Sequence, residues 1–195
     1  MKTLILFGSP RQDGDTAFLT GMLREGLEGE IYTVDAYGED ISPCVDCRFC
    51  RAHSGCALKD GMDRVYDLVR ECDNAVIASP IYFAGLTGRT LDVASRLQTF
   101  FSAARFRGED ARLKPKKGGI ILTGGGSGGA DSAAYTARLI LRHMNCREIS
   151  PPVCSLKTDT LPARQDRDAA EGIKALAEFL NGRRTAPDSR AGNAG

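Results

Sequence analysis

Short apolar runs alternate with amphipathic stretches along most of the chain. Residues 2–7 form an apolar run closed by Gly-Ser-Pro, which is typical of a buried strand. Apolar residues then recur at helical spacing over 16–27 and predict a helix there. By the same patterns, strands are predicted over 31–36, 75–78, 119–122 and 148–153, and helices over 62–72, 86–104, 132–143 and 169–180.

Five predicted strands alternating with five predicted helices indicate an α/β domain: a doubly wound, five-stranded parallel sheet of flavodoxin size with helices on both faces. Pro151 and Pro152 favour an edge position for the fifth strand. We expect one domain over 1–180, with a cysteine-rich loop inserted at 43–58 and a polar, mobile tail at 181–195. In such sheets the ligand lies beyond the carboxyl ends of the strands, where the strand order reverses.

Charge and hydropathy exclude several classes of protein. The 195 residues include 26 Lys and Arg and 25 Asp and Glu, a net charge of +1, so no charge argument favours a nucleic-acid partner. No apolar run approaches the roughly 20 residues needed to cross a membrane. The first apolar run is too short for a signal peptide, so we expect a cytoplasmic protein without a membrane contact.

The segment 8–17 links the first strand to the first helix and carries the chemistry of a phosphate loop. The hydroxyl groups of Ser9 and Thr16 and the guanidinium of Arg11 can donate to phosphate oxygens, beside the free N–H groups of the helix start. The spacing matches neither the ATP loop nor the dinucleotide fingerprint, so a single phosphomonoester fits better. The alternative is an ordinary strand-to-helix turn in which Asp15 caps the helix.

Two further loops follow predicted central strands. Pro80, Tyr82 and Phe83 can form a flat apolar wall for a ring such as a flavin, although the two aromatic residues could instead be core side chains. The glycine-rich run 123–129 lets the backbone approach a ligand closely, or is only a flexible turn.

Four of the seven cysteines are clustered with the spacing C-x2-C-x2-C-x5-C, at Cys44, Cys47, Cys50 and Cys56. A compact run of this kind favours a [4Fe–4S] cluster over zinc, which usually takes two separated C-x2-C pairs. Free thiols in a surface loop remain the alternative. Arg48 and Arg51 can offset the cluster's negative charge, and His53 is interpreted as a solvent-facing loop residue.

The other three cysteines, Cys72, Cys146 and Cys154, are scattered, and we interpret each as a small buried apolar residue. The odd cysteine count, with no export signal, argues against a disulfide framework.

Taken in order, Gly-Ser-Pro-Arg with Thr-Ala, Ser-Pro-Ile-Tyr-Phe at 79–83 and the glycine run at 123–129 resemble the NADPH-dependent FMN reductase family of flavodoxin-like proteins. The cysteine spacing resembles the iron–sulfur flavoprotein branch of that family. Asp15 stands where the family usually has Asn, and a carboxylate near a phosphate costs energy unless it turns away to cap the helix. The resemblance implies FMN contacts from Ser9, Arg11, Asp15, Thr16, Ala17, Pro80, Ile81, Tyr82, Phe83, Thr123, Gly124 and Gly125.

The resemblance also implies a function: an FMN-dependent oxidoreductase or electron-transfer flavoprotein whose [4Fe–4S] cluster exchanges electrons with FMN. It implies a homodimer or homotetramer, with a ferredoxin-type protein or NAD(P)H as candidate electron donor. An NAD(P)H-dependent FMN or quinone reductase without a cluster is the alternative enzyme. A thiol-based or zinc-stabilised binding module on the same scaffold is a different class, and it would bind no flavin. No side chain is assigned as a catalytic acid or base.

Overall fold

A parallel β-sheet lies at the centre of the computed structural model, which describes residues 1–111 and 113–183. Over these residues the sheet has six strands, in the order β2-β1-β3-β4-β5, with β6 also paired to β4. They are β1 (Lys2–Phe7), β2 (Glu30–Asp35), β3 (Asn74–Pro80), β4 (Lys116–Gly124), β5 (Cys146–Ile149) and β6 (Val153–Leu156).

Helices cover both faces of the sheet, so the predicted doubly wound α/β fold is confirmed. The helices are α1 (Asp15–Gly26), α2 (Phe49–Ala52), α3 (Met62–Glu71), α4 (Gly88–Ser95), α5 (Gln98–Arg107), α6 (Ala130–His143) and α7 (Arg167–Leu180), with a short 3-10 helix at Ala163–Gln165.

The core is divided by the sheet because successive strand residues point to opposite faces. Ile5 of β1 packs among side chains of α1 and α7, whereas its neighbours Leu4 and Leu6 pack among side chains of α3 and α6. The helix after β1 therefore lies on one face, and α4, which follows β3, contributes Val93 to the other. The strand order reverses between β1 and β3, and this is the point at which sheets of this kind bind their ligands.

The fifth predicted strand, 148–153, is divided into β5 and β6, which lie one after the other beside β4. Ser150 N–H still donates to Gly118 O at 3.0 Å. Pro151 and Pro152 have no N–H to continue the ladder, so the strand is interrupted there.

Two other predicted elements differ from the structure. The helix predicted over 86–104 is two helices, because the backbone tightens to i→i−3 hydrogen bonds at Arg96 and Leu97. The segment 43–58, predicted as a loop, contains the single helical turn α2.

The C-terminal residues of the described chain contact the loop after α1. Asn181 Oδ1 accepts a hydrogen bond from Glu28 N–H at 3.0 Å, and Arg183 pairs with the Glu28 carboxylate. The rest of the predicted tail, 184–195, lies outside the described residues. Within the part of the chain that the structure describes, no helix has the length and apolar character to cross a membrane.

Candidate flavin and cysteine sites

The loop after β1 leads directly into the N-terminus of α1. Arg11 N–H donates to the hydroxyl of buried Ser9 at 3.2 Å, which fixes the turn. Gly14 is the N-cap residue, and no side chain caps the helix. The N–H groups of the first turn, which includes Thr16 and Ala17, therefore have no partner within the helix. Such a helix start is a binding site for a phosphate.

Asp15 is the first residue of α1, so the alternative in which it caps the helix is wrong. Its Oδ1 accepts a hydrogen bond from Ala163 N–H at 2.8 Å, and its Oδ2 lies 4.0 Å from Arg11 Nη2. The carboxylate is thus engaged by the segment before α7. Because the carboxylate is engaged there, backbone N–H groups and hydroxyl groups are the donors that the loop after β1 offers to a phosphate.

Buried threonines join the loop after β1 to its neighbours. The hydroxyls of Thr16 and Thr123 lie 2.7 Å apart, which connects the start of α1 to the end of β4. Thr87 Oγ1 donates to Gly8 O at 2.8 Å. A Cβ atom at Gly8 would lie 1.9 Å from Thr90 Oγ1, so only glycine fits this close approach to α4.

The second and third predicted loops begin from adjacent strand ends. Pro80 of β3 is in register with Thr123 of β4, and Ile81 N–H donates to Thr123 O at 2.8 Å. Gly124, the last residue of β4, is in register with Leu156 of β6. Since the strands are parallel, all of these residues lie at the same edge of the sheet.

A tight turn presents two aromatic residues beyond β3. Tyr82 and Gly85 exchange backbone hydrogen bonds of 3.0 and 2.9 Å, and the residues between them, Phe83 and Ala84, have φ of +50° and +59°. Positive φ at both central positions usually requires Asn or Gly, so this turn is strained. Phe83 is fully exposed and Tyr82 is 47% exposed, so the interpretation of these residues as core aromatics is wrong.

The glycine-rich loop after β4 packs against two other segments. A Cβ at Gly129 would lie 2.7 Å from Ala84 Cα, and a Cβ at Gly125 would lie 2.5 Å from the Asp159 carboxylate. Lys157 N–H donates to Gly126 O at 2.9 Å, and Thr158 N–H donates to Gly124 O at 3.0 Å. The 157–159 segment thus borders the site, although no motif in the sequence indicated it.

The four clustered cysteines line one cavity of about 140 Å³ between their loop and α5. Leu58, Phe101 and Phe106 add apolar wall. His53 is exposed and stacks on Phe49 at 4.6 Å, as expected for a loop residue. Within residues 1–111 and 113–183, no three His, Cys, Asp or Glu side chains converge into a group that could hold a metal ion.

Side chains of α4 and α5 hold the cysteine loop in place. Cys44 N–H donates to Ser95 Oγ at 2.9 Å, and Cys50 Sγ donates to Ser102 Oγ at 3.3 Å. Arg107 Nη1 donates to the carbonyl of Cys50. Two of the four candidate ligands are therefore positioned by polar groups on the neighbouring helices.

A buried ion pair closes the base of the same loop. Arg96 Nη1 donates to the Asp60 carboxylate at 2.7 Å and to Ser42 O at 2.8 Å, while Arg96 Nη2 reaches Leu58 O at 3.4 Å. Residues on either side of the cysteines thus bind one guanidinium. Burial opposes the ionisation of Asp60, but Arg96 and the N–H groups of Met62 and Ser42 hold the pKa of this carboxyl below its usual value.

Asp60→Asn should destabilise the protein by about 3 kcal/mol, because it leaves the buried Arg96 charge without a counter-ion. Since folding lowers the pKa of Asp60, its contribution is present above about pH 4 and is lost as the pH falls further. Urea unfolding at pH 7 measures the change. Asp63→Asn removes a 54% exposed carboxylate and serves as the control, with an expected change under about 0.5 kcal/mol. Equal changes in the two variants would contradict this assignment.

The three scattered cysteines lie away from the cluster. Cys72 and Cys146 are buried, as expected, and burial raises the pKa of their thiols to about 11 and about 12. Cys154 is half-buried, and desolvation raises its pKa as well. Thiols with raised pKa values are poor nucleophiles at neutral pH.

Comparison with known sequences places this arrangement in a family. The sequence model of NADPH-dependent FMN reductases matches residues 1–160. The chain belongs to this family. The resemblance found in the loops is thereby confirmed.

Relatives of this family member include iron–sulfur flavoproteins. The chain is 34% identical over 145 residues to one from Archaeoglobus fulgidus, a match that covers 71% of this chain and 69% of the relative. It is 27% identical over 134 residues to one from Methanocaldococcus jannaschii, covering 66% and 65%. A second relative from Archaeoglobus fulgidus is 30% identical over 145 residues, covering 73% and 63%. The chain thus spans slightly less than two thirds of the length of the last two relatives.

Solved structures with the same fold are more distant in sequence. An NAD(P)H:quinone oxidoreductase from Methanothermobacter marburgensis superimposes with a TM-score of 0.73 at 14% identity, over 92% of this chain and 96% of that one. An FMN-dependent NADH-azoreductase from Bacillus anthracis, in complex with FMN, gives 0.72 at 12% identity, over 93% and 100%. These similarities describe the fold.

The residues present fit the family's flavin. The uncapped start of α1 and the buried hydroxyls of Ser9 and Thr16 suit a phosphate. The close approach at Gly129 and the exposed ring of Tyr82 leave flat surface at the same edge for a planar ring system.

The cysteine cavity fits an iron–sulfur cluster in its donor chemistry, because thiolates are the ligands that such clusters take. The thiols share one cavity but do not yet converge, so cluster binding requires the loop to tighten. Metal sites are commonly completed only when the metal binds.

Proposed function

We propose that this chain is an FMN-dependent oxidoreductase in which a [4Fe–4S] cluster, held by the four clustered cysteines, exchanges electrons with FMN. The observation that carries the proposal is that all four thiols line one cavity beside the helix that also contacts the phosphate loop. Both the FMN-dependent activity and the cluster go beyond family membership and belong to this proposal.

Three loops supply the proposed flavin contacts. Ser9, Arg11, Thr16, Ala17 and the first-turn N–H groups would hold the phosphate, and Thr123 fixes Thr16 by their shared hydrogen bond. The strand end at 80–83 and the glycine backbone at 124–125 would border the ring. FMN, when bound, accepts electrons singly or in pairs, so it can couple one-electron and two-electron partners. We assign no acid or base, and the protein supplies orientation and electrostatics. The carboxylate of Asp15 acts as an anchor for the loop through its bond to Ala163.

Cys44, Cys47, Cys50 and Cys56 are the proposed cluster ligands. A [4Fe–4S] cluster supplies one electron at a time at a potential that depends on its surroundings. Leu58 and the α5 phenylalanines contribute apolar wall to the cavity.

Helix α4 joins the two proposed sites. Thr87 and Thr90 at its N-terminal end contact the phosphate loop, and Ser95 at its C-terminal end holds Cys44. Eight helical residues span about 12 Å, so one short rigid element sets the spacing of the sites within a chain.

The wider setting of the protein is proposed from the same family. We expect a flavin-binding domain over 1–180, assembled as a homodimer or homotetramer, which receives electrons from a ferredoxin-type protein or from NAD(P)H. A cytoplasmic location is a further part of this proposal.

The alternative is an NAD(P)H-dependent FMN or quinone reductase without a cluster. It requires no metal site, and the described residues contain no three His, Cys, Asp or Glu side chains that converge into one. In that case the cysteines are free thiols.

Anaerobic purification followed by a visible spectrum, with iron, sulfide and FMN assays on the same sample, tests the proposal. We expect one FMN and about four irons and four sulfides per chain. FMN without iron would support the cluster-free reductase. If neither group is present and added FMN does not bind, the proposal is wrong and a binding module is the remaining class.

A further inference from the structure

Two buried arginine nitrogens beside the cysteine loop have no hydrogen-bond acceptor. Among the described residues, Arg96 Nε and Arg107 Nε are the buried side-chain polar atoms without a partner. Unsatisfied buried donors usually mark strain or an acceptor that arrives with a ligand. Both arginines also bind backbone carbonyl groups of the cysteine segment or of the residues at its ends.

Arg96 is anchored so that its Nε is left free. The side chain is 1% exposed, and both Nη atoms are engaged with Asp60 and with carbonyls at the base of the loop. Although burial opposes its charge, Asp60, Tyr66 and the neighbouring Cys56 hold the pKa of Arg96 above its ordinary value. The guanidinium is therefore a permanent cation beside the fourth cysteine.

Arg107 has the same arrangement on the other side of the loop. Its side chain is 9% exposed, Nη1 donates to the carbonyl of Cys50 and Nη2 donates to Glu109 at 2.7 Å. The Glu109 carboxylate, and more weakly Cys50, raise the pKa of Arg107, while burial opposes its charge. The free Nε of each arginine thus belongs to a cation next to one candidate ligand.

We propose that Arg96 and Arg107 are positioning residues whose Nε–H groups donate to the sulfur atoms of the bound cluster at Cys56 and Cys50. This inference rests on the proposed function, since it requires the cluster. Donors and positive charge near the sulfurs stabilise the more negative, reduced cluster, so the two arginines raise its reduction potential. A role limited to bracing the loop would change cluster content and leave the potential unaltered.

Arg107→Gln, studied in the iron-loaded full-length protein, tests the proposal. In the protein that keeps its iron, the reduced-to-oxidised ratio of the cluster at a fixed potential should be lowered at least tenfold, which is 59 mV for one electron. Arg107→Lys and Arg96→Lys keep the charge and remove the Nε donor, so each should lower the ratio by a smaller factor. Redox titration followed by electron paramagnetic resonance gives the ratio, independently of turnover.

Arg105→Gln is the matched control. Arg105 lies on the same helix as Arg107, but it is exposed, does not line the cysteine cavity and contacts the ring of Phe106, so solvent screens its charge. The reduced-to-oxidised ratio of the cluster in this control variant should change less than about threefold.

The inference is overturned if the reduced-to-oxidised ratio of the cluster in iron-loaded Arg107→Gln equals the ratio in the control variant. If Arg107→Gln loses its iron, the Arg107→Lys variant decides instead. An Arg107→Lys protein that keeps its iron and has the same reduced-to-oxidised ratio as the control also overturns the inference. A wild-type protein with FMN and no iron would overturn the cluster assignment in the proposed function, and this inference with it.

Discussion

Cys47→Ser should abolish iron binding and leave FMN in place. Serine differs from cysteine in one atom, but its hydroxyl is not ionised at neutral pH and is a poor ligand for an iron–sulfur cluster. Iron should fall from about four per chain to less than one. Cys47 is exposed, so the free energy of unfolding should change by less than about 0.5 kcal/mol.

Cys154→Ser is the control for this experiment. The half-buried Cys154 thiol lies on β6, away from the cysteine cavity, and its replacement should keep both iron and FMN. Iron measured on anaerobically purified protein decides the matter. A Cys47→Ser protein with a full iron content would exclude Cys47 as a ligand, and equal iron loss in both variants would indicate a general effect on folding.

Gly8→Ala should weaken FMN binding at least tenfold. The new Cβ would lie 1.9 Å from Thr90 Oγ1, in a site where Thr87 and Thr90 hydroxyls are already bonded at 2.8 Å. Relief of that overlap moves the phosphate loop relative to α4, and overpacking of this kind costs about 1–3 kcal/mol. Fluorescence titration of the apoprotein with FMN measures the affinity.

A second substitution separates this overlap from a general loss of folding. Thr90→Ala removes the clashing oxygen, and Thr87 still accepts the Thr90 backbone N–H as the helix cap. The Gly8→Ala/Thr90→Ala protein should therefore recover most of the FMN affinity. If the double variant binds no better than Gly8→Ala, the close contact with Thr90 is not what requires glycine.

The sheet could be predicted because its signals are local. The central strands are buried on both faces and are short apolar runs closed by turn residues, and the edge position of the last strand follows from its prolines. What could not be predicted were interactions between residues far apart in sequence. The Thr16–Thr123 hydrogen bond joins residues 107 apart, and the Arg96–Asp60 ion pair joins residues 36 apart. Periodicity carries no information about either.

The sequence was sufficient to predict which loops form the candidate site, but not the backbone conformation or the hydrogen-bond partners within them. Loops that follow the carboxyl ends of neighbouring parallel strands must meet, so the phosphate loop, the 79–83 segment and the glycine run could be assigned together. The turn at 82–85 gave no signal, because Phe83 and Ala84 are not the Asn or Gly residues typical of positive φ. The hydrogen bond from Ala163 N–H to Asp15 could not be predicted either, because a backbone N–H group has no sequence signature.

The guanidinium of Arg96 binds carbonyls of Ser42 and Leu58, so the residues flanking the cysteine segment meet at one point on the body of the protein. Because both ends of the segment are fixed by Arg96, its length or composition can change without altering the rest of the domain. Longer insertions there cost little additional loop-closure entropy. Exchange of this surface segment alone, with Arg96 and Asp60 kept, would then interconvert cluster-bearing and cluster-free flavoproteins. Gain or loss of the metal during divergence would require no change in the flavin-binding sheet.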